Sequence, residues 1–389
     1  MKKIILATAV AAGFCTSAMA QSSVTLYGLV DEGLNFTNNV AGNKLYELQS
    51  GYAQGSRWGL KGAEDLGGGL QTVFQLENGF NVNNGRLGEG GLLFGRQAYV
   101  GLASNQFGTL TFGRQYDAVV DDLGQLTANG SWAGYLFSHP FDNDNTDNTF
   151  RVNNSVKYVS PNVAGFQAEG TYSFSNDTNF ANNRAYSLAG QYQQGGLLVA
   201  AAYLLSDHPS ATAFGAINNA GDENFVASRW QVFGAGINYN IGQATLGFVY
   251  SNTNITKPTA NGYLASGESI LPTTGPLAGG SLNALKFQNF EFNGRYMVTP
   301  ALMVGAQYVY TIERYDATTG SVSPKIHNVG LMADYNLSKR TDVYIQGEYQ
   351  KIAGGETGSS LDRALVLGAD DLSSNDHQLV ARVGIRHKF

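Results

Sequence analysis

The sequence predicts an all-β chain whose sixteen antiparallel strands close into a transmembrane β-barrel, and three observations carry that prediction. Segments with apolar residues at every second position recur from residue 24 to the final Phe389, which is the period of a strand and not of a helix. The connections alternate strictly between tight turns and long polar loops, as an up-and-down meander with its short turns at one rim requires. The last segment, LVARVGIRHKF, keeps its alternation up to an aromatic terminal residue. A terminal strand frays unless another strand ties it down, so it needs the first strand as its partner.

Residues 1–20 read as a secretory signal peptide. Lys2 and Lys3 precede an apolar stretch over 4–14, and small residues at 18–20 lead to Gln21, the three parts of an export signal. The apolar stretch is too short to span a bilayer. Cys15, the single cysteine, lies inside it. The mature chain, 21–389, is then exported yet holds itself together without a disulfide.

The strand segments follow in order at 24–36, 56–66, 70–80, 94–103, 107–117, 150–160, 164–174 and 184–194. The second half continues at 197–206, 228–240, 244–254, 285–298, 301–314, 325–337, 340–351 and from about 376 to the end. Tight turns fall near 67–69, 105–106, 161–163, 195–196, 242–243, 299–300 and 338–339. The other connections are longer, for example 37–55, 118–149, 207–227, 255–284 and 352–375. Fifteen connections between sixteen strands put both termini at the short-turn rim.

One face of each strand is apolar and the other is too polar for a protein core. In 301–314, Leu302, Val304, Ala306, Tyr308, Tyr310 and Ile312 alternate with Met303, Gly305, Gln307, Val309, Thr311 and Glu313. In 340–351, Val343, Ile345 and Tyr349 alternate with Asp342, Gln346 and Glu348. A soluble sandwich also alternates. These segments reach about ten residues or more, against roughly five or six in soluble sheets. Tyr and Phe recur toward strand ends, as in interfacial girdles. Unpaired backbone cannot face lipid, so such a sheet must close.

Composition agrees. Glycine contributes 49 of 389 residues, aromatics 12%, and the formal charge is −6. The longest apolar run beyond the signal, 197–205, is too short for a membrane helix. An acidic chain without a Lys/Arg run argues against nucleic acid as a partner.

The motifs SSVTLYGLVDEGL, SRWGLKGAEDLGGGLQTVFQLENGF, FGRQAYVGL, FGTLTFGRQYD and GIRHKF, in this order and spacing, resemble those of Gram-negative general diffusion porins of the β-proteobacterial type. The resemblance spans essentially the whole mature chain. It implies a homotrimer in the outer membrane, with both termini periplasmic and a third long loop folded inward to narrow the channel. Lipid and lipopolysaccharide would surround it. The terminal Phe389 resembles the signal read by the outer-membrane assembly machinery, and His387 departs from the residue many members carry there.

The loop from about 117 to 149 matches the constricting loop in position and size, and its Trp132 and YLF need burial. Parity places Arg57, Arg96 and Arg151 on polar faces around it, at positions that match the basic cluster of the pore eyelet. Lys61 points the same way as Arg57. Glu77 shares inward parity with Gln71 and Gln75, and Asp31 and Asp121 are the other acidic candidates. Basic residues on one wall with acids opposite would set a transverse field in a narrow passage. Thr127 and its neighbours are neutral where some relatives have acids, which tilts the expectation toward weak anion selectivity. Arg114 has the parity of Leu110 and Phe112, so it is expected to face outward, at the subunit interface of the family.

No catalytic constellation emerges. Asp207–His208 and Asp376–His377 are adjacent pairs, and neighbours on a strand point to opposite faces. His139 and His327 lack ligands at metal spacing, and GGGLQT has no following Lys or helix. No cofactor is expected. The leading reading is passive diffusion of ions and small hydrophilic solutes. The alternatives are a barrel enzyme or adhesin, which would have a sealed lumen, and a solute-specific channel, which would need an aromatic track along the lumen.

Overall fold

The computed structural model describes residues 23–218, Asp222 and 224–389. The expected signal segment, 1–20, lies outside the described residues. Sixteen strands form one closed antiparallel barrel. They are β1 (Ser23–Val40), β2 (Arg57–Gly67), β3 (Leu70–Gly79), β4 (Gln97–Ser104), β5 (Gly108–Gln115), β6 (Val152–Val159), β7 (Phe166–Ser173) and β8 (Arg184–Gln194). The second half holds β9 (Leu197–Asp207), β10 (Arg229–Ile241), β11 (Ala244–Thr256), β12 (Leu282–Met297), β13 (Leu302–Ala317), β14 (Lys325–Asn336), β15 (Thr341–Ala353) and β16 (His377–Lys388). Each periodic segment of the sequence becomes one strand.

The seam closes where the terminal alternation requires it. β1 pairs with β16 from Leu29↔Lys388 to Thr37↔Val380. Beyond the ladder, Phe389 N donates to Gly28 O at 2.9 Å and Gly28 N to Phe389 O at 3.2 Å. The Phe389 ring lies where a side chain at Gly28 would stand, so the smallest residue makes room for the terminal aromatic.

Burial is inverted relative to a soluble sheet. Glu313, Thr311 and Glu348 are fully buried, whereas Leu331 is 63% and Val383 59% exposed. Polar groups face inward and apolar ones outward. An outward apolar belt around a closed sheet is stable only in lipid.

Several long connections contain short strands that their composition does not announce, among them Phe225–Val226 paired with Ala260–Asn261. The lower half of β1, Ser23–Leu29, pairs with β2. Its upper half instead pairs with a short strand, Asn43–Ser50. The turn between them, Ala41–Gly42, has positive φ at both residues, 48° and 96°, the geometry of a tight hairpin. Likewise β13 continues through a turn into Gly320–Val322. Residues 51–56, between Asn43–Ser50 and β2, leave the wall and turn toward the lumen.

Candidate functional site: the constriction of the barrel

The long connection after β5 folds into the barrel as a series of short helical turns. Asp117 closes its two ends: the carboxylate accepts from Val119 N (2.8 Å) and from Asn145 Nδ2 (2.7 Å). Leu123, Leu126, Leu136 and Phe137 have no exposed surface: Leu123, Leu126 and Phe137 lie against the inner wall at Gly234, Gly236 and Gly330, and Leu136 against Gly368 of the last long connection. The wall accommodates them through small residues. A Cβ at Gly305 would lie 2.5 Å from the Trp132 ring, and one at Gly330 would collide with Phe137. Gly305→Val is therefore expected to push Trp132 and its segment toward the lumen and lower single-channel conductance. Overpacking of this kind costs about 1–3 kcal/mol.

Polar bonds fix the loop further along. His139 Nδ1 lies 2.6 Å from Asp144 and Nε2 2.9 Å from Glu291 of β12. The other Glu291 oxygen accepts from Ala128 N at 2.7 Å, so one wall carboxylate holds two parts of the loop. Asn289 donates to Asn143 at 3.0 Å, and Trp230 Nε1 to the Asn143 carbonyl at 2.9 Å. Burial would lower the His139 pKa, but the Asp144 and Glu291 carboxylates outweigh it and raise it from 6.5 to about 10. Burial would likewise raise Asp144, yet His139, Ser251 and Thr146 hold it at about 2.

Opposite this clamp the loop and wall enclose a cavity of about 780 Å³, lined among others by Arg57, Arg96, Arg151, Asp121, Asp147 and Arg386. Arg57 opens β2, while Arg96 and Arg151 immediately precede β4 and β6, so the three cations stand at the ends of their strands. Arg96 Nε pairs with Glu77 at 2.8 Å, and its terminal nitrogens reach Glu89 (3.5 Å) and Tyr116 Oη (2.8 Å). Arg151 lies 3.5 Å from the same Glu89, bonds Asn148 at 2.7 Å, and stacks 5.5 Å over the Tyr116 ring. Arg57 has no hydrogen-bond or ion-pair partner among the described residues.

The acids are arranged differently from the expectation of a facing set. Glu77 sits on the basic wall itself, buried between Arg96 and Tyr27 Oη (2.8 Å). Asp31 is fully buried behind the 51–56 bend. It accepts from Gln54 N (2.8 Å), Tyr344 Oη (2.6 Å) and Arg382 (3.1 Å), and so anchors the bend instead of lining the passage. Asp121 does line the cavity, on the loop, where it pairs with Lys157, itself 3.1 Å from Glu169. Burial first, and then the neighbouring Asp142 carboxylate, push Asp147 well above the usual carboxylate range, which weakens its negative charge. Lys61 lies outside the cavity lining, with Nζ 5.2 Å over the Tyr27 ring.

Arg114 corrects an expectation. It is buried and forms a two-pronged pair with Asp222, both contacts at 2.8 Å, while its Nε donates to the Gly95 carbonyl at 2.6 Å. The β5–β6 register shifts between Gly113 and Gln115, and Gly113 has φ +139°. A bulge interrupts alternation, so parity counted from Phe112 fails one residue later and the charge is satisfied within its own chain. Glu89, Tyr116 and Arg386 went unread in the sequence. Arg386 stood in the terminal motif on the polar parity, but its partners Asp342 and Asp334, at 3.0 and 3.2 Å, come from other strands.

A family model described as Gram-negative porin matches residues 7–354. The chain belongs to this family. An outer membrane porin protein of Bordetella pertussis is 34% identical over 90% of the chain and 94% of its own length. Outer membrane porin protein 32 of Delftia acidovorans is 30% identical over the full length of both. Among solved structures, an anion-selective porin from Comamonas acidovorans superposes with a TM-score of 0.70 at 25% identity, covering 95% of this chain and all of the other. OmpT of Vibrio cholerae, in its trimer form, shares the fold with a TM-score of 0.64 at 19% identity, over 95% of this chain and 99% of its own. This porin therefore resides in the outer membrane and forms a water-filled channel for passive diffusion of ions and small hydrophilic solutes.

Proposed function

We propose that this porin passes small anions in preference to cations, with Arg57, Arg96 and Arg151 as the selecting wall. The observation that carries the reading is Arg57, a guanidinium at the cavity with no acid within ion-pair distance among the described residues, its nearest acidic influence, Glu77, being already bound to Arg96. The loop acids facing it are muted, Asp121 by Lys157 and Asp147 by burial. In a narrow passage with low-dielectric walls, such an imbalance sorts ions by sign. The solved relative described as anion-selective supports the same direction. A planar bilayer with a KCl gradient tests it: the zero-current potential should shift toward that of chloride, and a shift toward potassium overturns the proposal.

We read the chain as a channel without catalytic activity and as a homotrimer. The Asp207 carboxylate is held by Arg184 and Arg229 at 3.0 and 3.1 Å, and His139 is enclosed by its two carboxylates, which supports structural roles for both. Four successive strands, β4–β7, have only eight residues each, whereas a tilted membrane strand needs about 9–11. That low wall is better covered by a second and third copy of the chain than by lipid. Detergent-extracted protein should migrate as a trimer before heating; migration as a monomer counts against it. We further read residues 1–20 as the cleaved export signal, and Phe389 as the contact for the assembly machinery. Lipid and lipopolysaccharide would cover the remaining outer surface.

A further inference from the structure

We infer that the periplasmic side of the constriction loop carries a resting site for small hydroxy-carboxylates, built around Arg295. The inference rests on the reading of the chain as an open channel.

A second cavity, of about 140 Å³, lies against the same loop segment that borders the eyelet, since Gln125, Ser131 and Trp132 line both spaces. Gly195 and Gly196 of the β8–β9 turn form its floor, which places it at the short-turn rim. No aspartate or glutamate lines it, in contrast to the eyelet cavity. Its one cation is Arg295 of β12, an exposed residue without a hydrogen-bond or ion-pair partner among the described residues. The cross-strand neighbours of Arg295 are Thr245 and Gly305, neither of them acidic. Arg386 and Lys157, by comparison, each hold two carboxylates.

Around Arg295 stand neutral hydrogen-bonding groups. The Gln193 side chain is also without a partner among the described residues, and Asn240 and Asn238 line the same space. The Trp132 ring supplies an apolar wall. A guanidinium fork matches a carboxylate, and side-chain amides donate to or accept from an adjacent hydroxyl. The cavity, about 140 Å³, is many times the ~10–15 Å³ that one water needs and so has room for several waters. That is the size of a two- or three-carbon hydroxy acid. A solute that has passed the eyelet would pause here before release, and such a site must bind weakly for flux to continue.

The test is single-channel conductance in fixed KCl, with potassium glycolate added on the short-turn side and glycolamide as its uncharged counterpart. Wild-type conductance should fall saturably with glycolate, with a midpoint on the order of millimolar, and should not respond to glycolamide. Arg295→Gln should raise that midpoint about tenfold, the value of a hydrogen-bonded charge, and Arg295→Lys should raise it less. Unchanged stepwise openings in KCl alone show that each variant is folded and inserted. If Arg295→Gln inserts no channels, Gln193→Leu, on a different strand, carries the same comparison with a several-fold weaker midpoint expected. A linear response to glycolate, a midpoint indifferent to these substitutions, or an equal response to glycolamide each overturns the site. Failure of the anion-preference reading would show separately, in the wild-type zero-current potential without glycolate.

Discussion

Replacing Arg57, Arg96 and Arg151 together by serine is expected to move the zero-current potential in a KCl gradient across zero, from the chloride side to the potassium side. The three guanidinium groups are the cations that border the cavity on its β2–β6 wall. Removing them also frees Glu77 and Glu89, which the structure pairs with Arg96 and Arg151. The wall would therefore change sign rather than become neutral. Two unit charges about 4 Å apart interact by about 1 kcal/mol in water and about 4 kcal/mol at an effective dielectric constant near 20. An anion-to-cation permeability ratio should accordingly change by about tenfold or more. The single variants should order themselves by partner. Arg57→Ser removes a charge that no acid is bonded to and leaves Glu77 paired with Arg96, so it should weaken anion preference without reversing it. Arg96→Ser removes a charge and releases Glu77, so it should reach further. A triple variant that kept the wild-type potential would place selectivity elsewhere in the channel.

His139→Leu is expected to loosen the constriction loop and replace steady openings by noisy, variable conductance. The imidazole stands between Asp144 and Glu291, neither of which has exposed side-chain surface. Removing one partner of a buried charged pair costs about 3–5 kcal/mol, because the remaining charge is left uncompensated. Here two carboxylates lose the same partner. Glu291 still accepts from Ala128 N, so one point of attachment survives and the barrel itself should still assemble. Single-channel noise and the protease sensitivity of the loop report the change. Quiet wild-type-like openings would show that the leucine and glycine contacts hold the loop unaided.

The same clamp sets a pH dependence of defined sign. His139 is raised from 6.5 to about 10, so its contribution is complete below about 6.5 and is lost as pH rises through 10. Asp144 is lowered from 3.8 to about 2, so its contribution is complete above about 3.8 and is lost as pH falls through 2. Loop attachment should be strongest between these limits, from about pH 4 to 6.5, and should decline gradually toward alkaline pH. Conductance noise recorded from pH 4 to 10 should rise only in the upper part of that range in wild type; in His139→Leu, whose two buried carboxylates have lost their cation, the rise should begin at lower pH.

Much of this was open to a reading of the residues, for a local reason. A strand with one face to lipid and one to water writes its identity into every second residue, so all sixteen segments could be placed without knowing their neighbours. Parity likewise put Arg57, Arg96 and Arg151 on the inner side. It failed at Arg114, where the bulge at Gly113 breaks the count, and it could not see the hairpin after β1, because Ala41 does not advertise a residue with positive φ.

What parity could not contain was partnership. Asp31 and Arg382 are 351 positions apart and meet only because β1 and β16 close the barrel in one register. Glu77 meets Arg96, which immediately precedes the neighbouring strand β4, and an acid read as opposing the basic wall becomes a support for it. Asp121 reaches the cavity only to find Lys157. The sequence by itself determined the number of strands, the two faces of each and the existence of a polar lumen, since these depend on spacing along the chain. Tertiary structure alone decided which charges remain uncompensated in that lumen, because compensation depends on distances between residues that the chain keeps far apart.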